Sequence, residues 1–162
     1  MEIYIPNAEL ERKTILKKYK ELLLLLYDKT TAEQRKTIHK AMALAASAHK
    51  DMRRRSGEPY IYHPLAVAKI VVQEINLGTT SVVCSLLHDV VEDTEYTLDD
   101  IRDLFGEKVA KITDGLTKIE DLTINSDESI QAENFRKIFL SMSEDVRVIL
   151  IKLADRLHNM RT

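Results

Sequence analysis

An all-α fold is predicted by three features of this 162-residue sequence. Only four glycines and three prolines are present, so few positions interrupt a helix. Alanine, leucine, lysine and glutamate, all strong helix formers, are abundant. Apolar residues recur at steps of three and four, and no segment shows a convincing strand-like alternation. We therefore expect one domain of about eight helices.

The first two helices are predicted from apolar spacing and from capping residues. Leucines and Tyr19 recur at helical spacing over residues 9–27. The second helix begins after Thr30 or Thr31, since each is followed three residues later by Glu or Gln, the spacing of a capping box. This helix ends near Ala48 and is rich in alanine, so it can pack closely against a neighbour.

A basic loop separates these helices from the middle of the chain. Residues 50–62 contain a glycine, a proline and the highest density of positive charge. The next helix begins at His63, with Pro64 in the first turn where no backbone N–H bond is needed, and ends near Ile75. A further helix is predicted over 79–92.

The remaining elements are predicted in the same way. They are a short helix that Thr97 caps and Gly106 ends, a helix over 107–119, a polar connection over 120–127, and helices over 128–142 and 144–160. The last of these is apolar on most sides, which predicts a buried central helix.

Composition and charge exclude several function classes. Lys plus Arg number 24 and Asp plus Glu 26, so the net charge of −2 provides no bulk attraction for nucleic acid. The single cysteine, Cys84, excludes an internal disulfide and a cysteine-rich zinc site, and it favours a reducing compartment. The longest leucine run, 22–26, is too short to span a bilayer, and the first ten residues do not resemble a signal peptide. We expect a cytoplasmic protein.

The first candidate site is His88-Asp89, which follows an apolar run. Glu92 and Asp93 come four residues later, so on a continuous helix the two pairs share one face. Carboxylates this close repel one another unless a cation lies among them. The alternative is a solvated acidic turn at a helix end.

The second candidate is Asp155, which follows a nearly unbroken apolar run. His158 and Asn159 lie on the same helical face. Alternatively, Asp155 forms an ion pair with Lys152 or Arg156. For His158 the favoured interpretation is a core histidine with satisfied hydrogen bonds.

Two further candidates lie around the basic loop. His63 precedes a proline at a helix start and is a plausible metal ligand. Residues 53–57 (RRRSG) form either a solvated basic surface or an anion site in which arginine also stacks on a nucleobase. His39 and His49 are weaker candidates, although His49 could brace the loop.

Taken together, these segments resemble the N-terminal hydrolase domain of the RelA/SpoT (Rel) family of alarmone enzymes, a branch of the HD phosphohydrolases. The resemblance covers about residues 45–162 and is carried by RRSGEPYIYHP, SLLHDVVEDT, FGEKVAKITDGLTKI, QAENFRKIF and VRVILIKLADRLHNMRT. It implies the helical bundle of the HD-domain superfamily for residues 1–162. It also implies that the domain continues beyond residue 162 and that the synthetase and regulatory domains of longer members lie outside this chain.

The resemblance also implies a site. The metal ligands are His63, His88, Asp89 and Asp155, and the metal is Mn²⁺, which suits a mixed set of imidazoles and carboxylates. Glu92 and Asp93 are the acidic pair that positions and deprotonates water. The substrate contacts are Arg54, which stacks on guanine, Arg55, Ser56, Tyr60, Asn159 and Thr162.

The implied reaction removes the 3′-pyrophosphate of guanosine tetra- or pentaphosphate and releases GDP or GTP. Two departures concern the nucleobase: Asp51-Met52 replaces the usual Gly-Gln, and Arg55 replaces the usual Lys. The alternatives are a catalytically silent guanine-nucleotide-binding module and an HD phosphohydrolase of another nucleotide. Neither a membrane nor a nucleic acid is expected as a partner.

Overall fold

The computed structural model describes residues 3–124, 136 and 145–162, and within them it contains eight α-helices and no strand. The helices are α1 (Ala8–Leu26), α2 (Ala32–Ala48), α3 (Tyr62–Gln73), α4 (Thr79–Leu87), α5 (Val90–Asp93), α6 (Leu98–Phe105), α7 (Glu107–Ile124) and α8 (Val146–Arg161). A short 3₁₀ turn, Tyr27–Lys29, follows α1. The all-α prediction is confirmed, and the helix predicted over 128–142 lies outside the described residues.

Capping residues account for several helix boundaries. Thr31, rather than Thr30, caps α2, and its capping box with Gln34 has both reciprocal hydrogen bonds. Thr97 and Asp100 form the same arrangement at the start of α6, as the spacing predicts. Gly106 ends α6 with φ of 94°, a conformation that strongly favours glycine.

The core is centred on α3 and α4, which pack on each other. Seven of the nine residues of α4 are buried, so this helix lies inside the bundle, against α2, α7 and α8. The prediction that the last helix is the central one is wrong. One face of α8 is buried, whereas Val146, Leu153 and Met160 are exposed. Part of the apolar surface of α8 is therefore not covered by the described core.

The helix predicted over 79–92 is interrupted. It ends at Leu87 and resumes as α5 at Val90, so His88 and Asp89 lie in a turn between two helices. The Ser85 carbonyl, which a continuing helix would offer to a backbone N–H, accepts a hydrogen bond from His88 Nδ1 at 2.6 Å. A side chain that competes for a backbone acceptor in this way favours a break in the helix.

Two further features complete the fold. Helix α7 extends to Ile124, beyond the predicted end at residue 119, so the first part of the predicted polar connection is helical. Among the described residues, none of the helices combines the length and the apolar character that crossing a membrane requires.

Helices α7 and α8 approach closely at Gly115, and we predict that a larger residue there destabilises the protein. A Cβ atom at Gly115 would lie 3.0 Å from Val148 Cγ2 and 3.3 Å from Cγ1, and Val148 is buried. Gly115→Val should therefore lower the free energy of unfolding by about 1–3 kcal/mol, as overpacking does. Denaturant unfolding measures the change. Lys111→Val, on the exposed side of α7, is the control; equal stability of the two variants would contradict the close packing.

Candidate functional site

Three buried side chains from distant parts of the chain converge on one point. They are His63 in the first turn of α3, His88 after α4 and Asp155 on α8, and one ligand atom of each lies within 4.8 Å of the others. His63 Nε2 is 2.7 Å from Asp155 Oδ1, and His88 Nε2 is 3.5 Å from the same oxygen. Two imidazole nitrogens and a carboxylate oxygen form a group that could hold a divalent metal ion.

Asp89 lies beside this group. Its Oδ2 is 2.9 Å from His88 Nε2 and 3.9 Å from His63 Nε2. The same oxygen accepts a hydrogen bond from the Tyr60 hydroxyl at 2.5 Å. Asp89, which is predicted to bind the metal, thus directly contacts Tyr60, which is predicted to border the substrate pocket.

The orientation of His88 fits a cation site. Its Nδ1 donates to the Ser85 carbonyl, so Nε2 faces the carboxylates. Although Nε2 lies close to Asp89, it is buried and has no hydrogen-bond partner of suitable geometry in the described part of the protein. A buried nitrogen without a hydrogen-bond partner costs free energy, and binding a cation would offset that cost.

The electrostatics of the group follow from its burial and its mixed charges. Burial opposes ionisation of Asp89 and Asp155, but the nearby histidines outweigh burial and hold the pKa of both carboxyl groups below the ordinary value. Burial likewise disfavours a charged His88, yet these carboxylates raise its pKa well above the ordinary value. At His63 burial prevails and lowers the pKa. The two carboxylates thus remain charged beside these histidines.

Asp155 forms the ion pair with Lys152 that is considered above as an alternative to metal binding, and it also faces the two histidines. Lys152 Nζ contacts Asp155 Oδ2 at 2.9 Å, whereas the other carboxylate oxygen faces the histidines. The ion pair therefore leaves one carboxylate oxygen of Asp155 facing the histidines. Arg156 is exposed.

The predicted acidic pair follows directly after this group. Glu92 and Asp93 lie on the short helix α5 and are exposed to solvent. Asp93 Oδ2 is 4.0 Å from Nε2 of the buried His49. Two carboxylates that solvent can reach thus follow Asp89 within four residues of the chain, and that of Asp93 lies near the buried His49.

Several predicted substrate contacts also come together. Arg54 Nη2 donates to Asn159 Oδ1 at 3.0 Å and to Thr162 Oγ1 at 3.4 Å. Asn159 Nδ2 donates to Asp155 Oδ1 at 3.5 Å. Arg54 is thereby connected to the ligand group through a single side chain. Arg55 and Ser56 are exposed on the same loop.

Arg53, one of the residues considered for an anion site over 53–57, is paired with an acidic residue of α1. Its guanidinium binds both carboxylate oxygens of Glu11, at 2.6 and 3.1 Å, and donates to the Gly57 carbonyl at 3.0 Å. Tyr4 donates to the same carboxylate at 2.7 Å. The N-terminal helix α1, for which the sequence suggests only generic packing, therefore supports the loop that carries Arg54.

The structure shows the contacts of two histidines that the sequence named only as weaker candidates or as a core residue. His158 Nδ1 is 2.7 Å from His63 Nδ1, and the two ring planes lie within 27° of each other with centroids 5.0 Å apart. Burial, with the neighbouring positive groups, lowers the pKa of His158 to about 4. His49 is buried and its ring lies 4.8 Å from that of Tyr60. The only signal for His158 was its place on the same helical face as Asp155.

Comparison with known proteins places this geometry in context. The family model for the HD domain matches residues 41–162. A guanosine-3′,5′-bis(diphosphate) 3′-pyrophosphohydrolase of Haemophilus influenzae is 51% identical over 119 residues, which cover 74% of this chain and 17% of that protein. The bifunctional (p)ppGpp synthase/hydrolase SpoT of Escherichia coli is 48% identical over 130 residues, covering 80% of this chain and 18% of the relative.

A solved structure agrees with these matches. It is that of a metazoan ortholog of SpoT that hydrolyses ppGpp, and it aligns with a TM-score of 0.58 and 26% identity over 82% of this chain and 70% of that one. The resemblance to the RelA/SpoT enzymes is thereby confirmed. The chain spans less than a fifth of the length of the curated relatives that it matches.

We predict that Asp155→Asn weakens the binding of a divalent metal ion. The amide is nearly the same size but removes the negative charge that faces His63 and His88. Titration with Mn²⁺ by isothermal calorimetry should show a dissociation constant raised by at least about tenfold, with circular dichroism to check the fold. Asp103→Asn, an exposed position on α6, is the matched control and should bind like the unmodified chain. Unchanged affinity in Asp155→Asn would place the ion elsewhere.

Proposed function

The chain belongs to the HD domain family, and from this premise we propose that it hydrolyses the 3′-pyrophosphate of guanosine tetra- or pentaphosphate. The products are GDP or GTP and pyrophosphate. One observation carries the proposal: a buried group of histidines and carboxylates adjoins, through Asn159, an arginine that can bind a nucleotide. The names of the relatives from Haemophilus influenzae and Escherichia coli support this choice of substrate.

The metal ion that we propose is Mn²⁺. His63, His88, Asp89 and Asp155 would hold it through two nitrogen and two oxygen donors, a set that suits this ion. Two observations support the assignment: the buried Nε2 of His88 has no well-aligned hydrogen-bond partner among the described residues, and the pKa of both aspartates is low. When bound, the ion would supply positive charge that offsets the charge developing on the phosphoryl group and makes water more acidic.

Glu92 and Asp93 are the bases in this proposal. Their carboxylates lie within five residues of Asp89 and are open to solvent, so they can take a proton from the attacking water. The water oxygen bonds to phosphorus, the bond between phosphorus and the ribose 3′-oxygen breaks, and that oxygen gains a proton. Pyrophosphate then leaves.

The nucleotide would bind along the loop that carries Arg54. We propose that Arg54 stacks on guanine and that Asn159 holds the phosphate end near the ligand group, while Arg55, Ser56, Tyr60 and Thr162 border the pocket. In the structure Arg54 already contacts both Asn159 and Thr162, which supports a shared pocket. Planar guanidinium groups suit both stacking and phosphate binding.

The setting of this activity is also a proposal. The longer relatives include one named as both a synthase and a hydrolase, so we propose that this domain works beside a synthetase domain and regulatory domains. We place the activity in the cytoplasm, where the buried free thiol of Cys84 stays reduced.

We predict that the chain releases pyrophosphate from guanosine tetraphosphate when Mn²⁺ is present and stops when a chelator removes the ion. A coupled assay for pyrophosphate measures the rate, with GTP as the comparison substrate. Faster turnover of GTP would favour an HD phosphohydrolase of another nucleotide. Nucleotide binding without product at any Mn²⁺ concentration would favour a silent guanine-nucleotide-binding module.

We further predict that Glu92→Gln separates metal binding from turnover. Glu92 is not among the proposed ligands, so the affinity for Mn²⁺ should stay within about threefold, while loss of a general base should lower kcat by about 10²–10⁴-fold. Glu95→Gln, at an exposed position three residues later, controls for the loss of one surface charge. An unchanged kcat in Glu92→Gln would remove this residue from the proposed mechanism.

A further inference from the structure

The two ring nitrogens of His63 face different partners. Nε2 lies 2.7 Å from Asp155 Oδ1, within the group that could hold a metal ion. Nδ1 faces away from that group and lies 2.7 Å from Nδ1 of His158. Both contacts are short enough for hydrogen bonds, and His63 is almost completely buried, so water does not compete for either nitrogen.

The contact between the two Nδ1 atoms requires one hydrogen. Two N–H groups pointed at each other would clash, and two lone pairs at 2.7 Å would repel. One ring must therefore donate and the other must accept. The ring planes lie within 27° of each other and the ring centroids are 5.0 Å apart, so the rings meet edge to edge at these nitrogens. The N–H and the lone pair, which lie in the ring planes, can therefore face each other.

Metal binding at Nε2 decides the direction of this hydrogen bond. A histidine that binds a metal through Nε2 must present a lone pair there, so its hydrogen lies on Nδ1. Among the residues that the structure describes, the acceptor that His63 Nδ1–H then meets is the Nδ1 lone pair of His158. Metal-binding histidines generally donate their second N–H to an acceptor that fixes the ring, and His88 does so to the Ser85 carbonyl.

We infer that His158 is a positioning residue of the metal centre, because its Nδ1 accepts the hydrogen bond from His63 Nδ1–H and so holds His63 Nε2 ready for the ion. The inference rests on the metal centre proposed above and adds to it a residue outside the proposed ligands and the acidic pair. His158 does not bind the ion; it acts through His63.

The surroundings of His158 are consistent with this role. The residue is half-buried, and it also lines an open cleft between α3 and α8 whose walls include Lys69, Gln73 and Arg161. Water can therefore reach the part of the ring that does not face His63, so the hydrogen of His158 can lie on Nε2 without being buried unpaired. On α8, His158 follows Asp155 by one turn, so one helix supplies both a ligand and the residue that orients a second ligand.

Two substitutions of His158, to side chains that resemble each other in shape, test the hydrogen bond. In His158→Asn, Oδ1 occupies nearly the place of Nδ1 and can accept from His63, whereas His158→Leu has the same branching and no acceptor. Each full chain is titrated with Mn²⁺ alone, and the electron paramagnetic resonance signal of free Mn²⁺ measures the affinity. We expect His158→Leu to raise the dissociation constant by about 10–100-fold and His158→Asn to restore most of the affinity.

The outcomes separate this inference from the proposed function. If the unmodified chain binds no Mn²⁺, both the metal centre and the role of His158 are overturned. If it binds Mn²⁺ and His158→Leu binds equally well, the role of His158 alone is overturned. Equal losses in His158→Leu and His158→Asn would assign the effect to the packing of the His158 ring, and would also overturn the hydrogen-bond role.

A spectroscopic measurement on the unmodified chain does not depend on the variants folding. Nitrogen-15 NMR of the histidine rings, with Zn²⁺ as a diamagnetic probe, reports which ring nitrogen carries the hydrogen. We expect His63 to carry it on Nδ1 when Zn²⁺ is bound, with a coupling partner in His158. A hydrogen-free Nδ1 in metal-bound His63 would overturn the inference.

Discussion

The buried carboxylate of Asp155 is the constraint on which the rest of the site depends. It lies among His63, His88 and Lys152, and an unpaired carboxylate at this depth would cost several kcal/mol. These partners come from α3, from the turn after α4 and from α8 itself, so satisfying one charge requires three elements to pack together. The apolar packing of α3 and α4 then has to accommodate this polar group.

That requirement explains the irregular features around the site. The helix predicted over 79–92 breaks where His88 and Asp89 lie, because the His88 ring occupies a backbone acceptor and Asp89 contacts Tyr60. Similarly, α1 lies outside the matched family region, yet its Glu11 holds Arg53. With Arg53 engaged, the neighbouring Arg54 is the arginine of the loop that contacts α8.

Much of the fold and part of the candidate site could be predicted from sequence. Helical spacing and capping residues predicted most elements, because these signals are local: Thr97 and Asp100 are three residues apart and cap α6 as expected. Similarity of long segments pointed to His63, His88 and Asp155, which the structure brings together. The roles of the individual site residues remain predictions that the experiments above address.

The sequence by itself determined the all-α class, the order of the helices and the residues able to carry charge or bind a cation, since each depends on neighbours within one or two helical turns. Only the tertiary structure decided which partners these residues take. Arg53 pairs with Glu11, His158 with His63, and Asp155 with residues about 70 and 90 positions away. No local pattern encodes such pairs, because they arise when the burial of apolar faces brings polar groups from different helices within hydrogen-bonding distance.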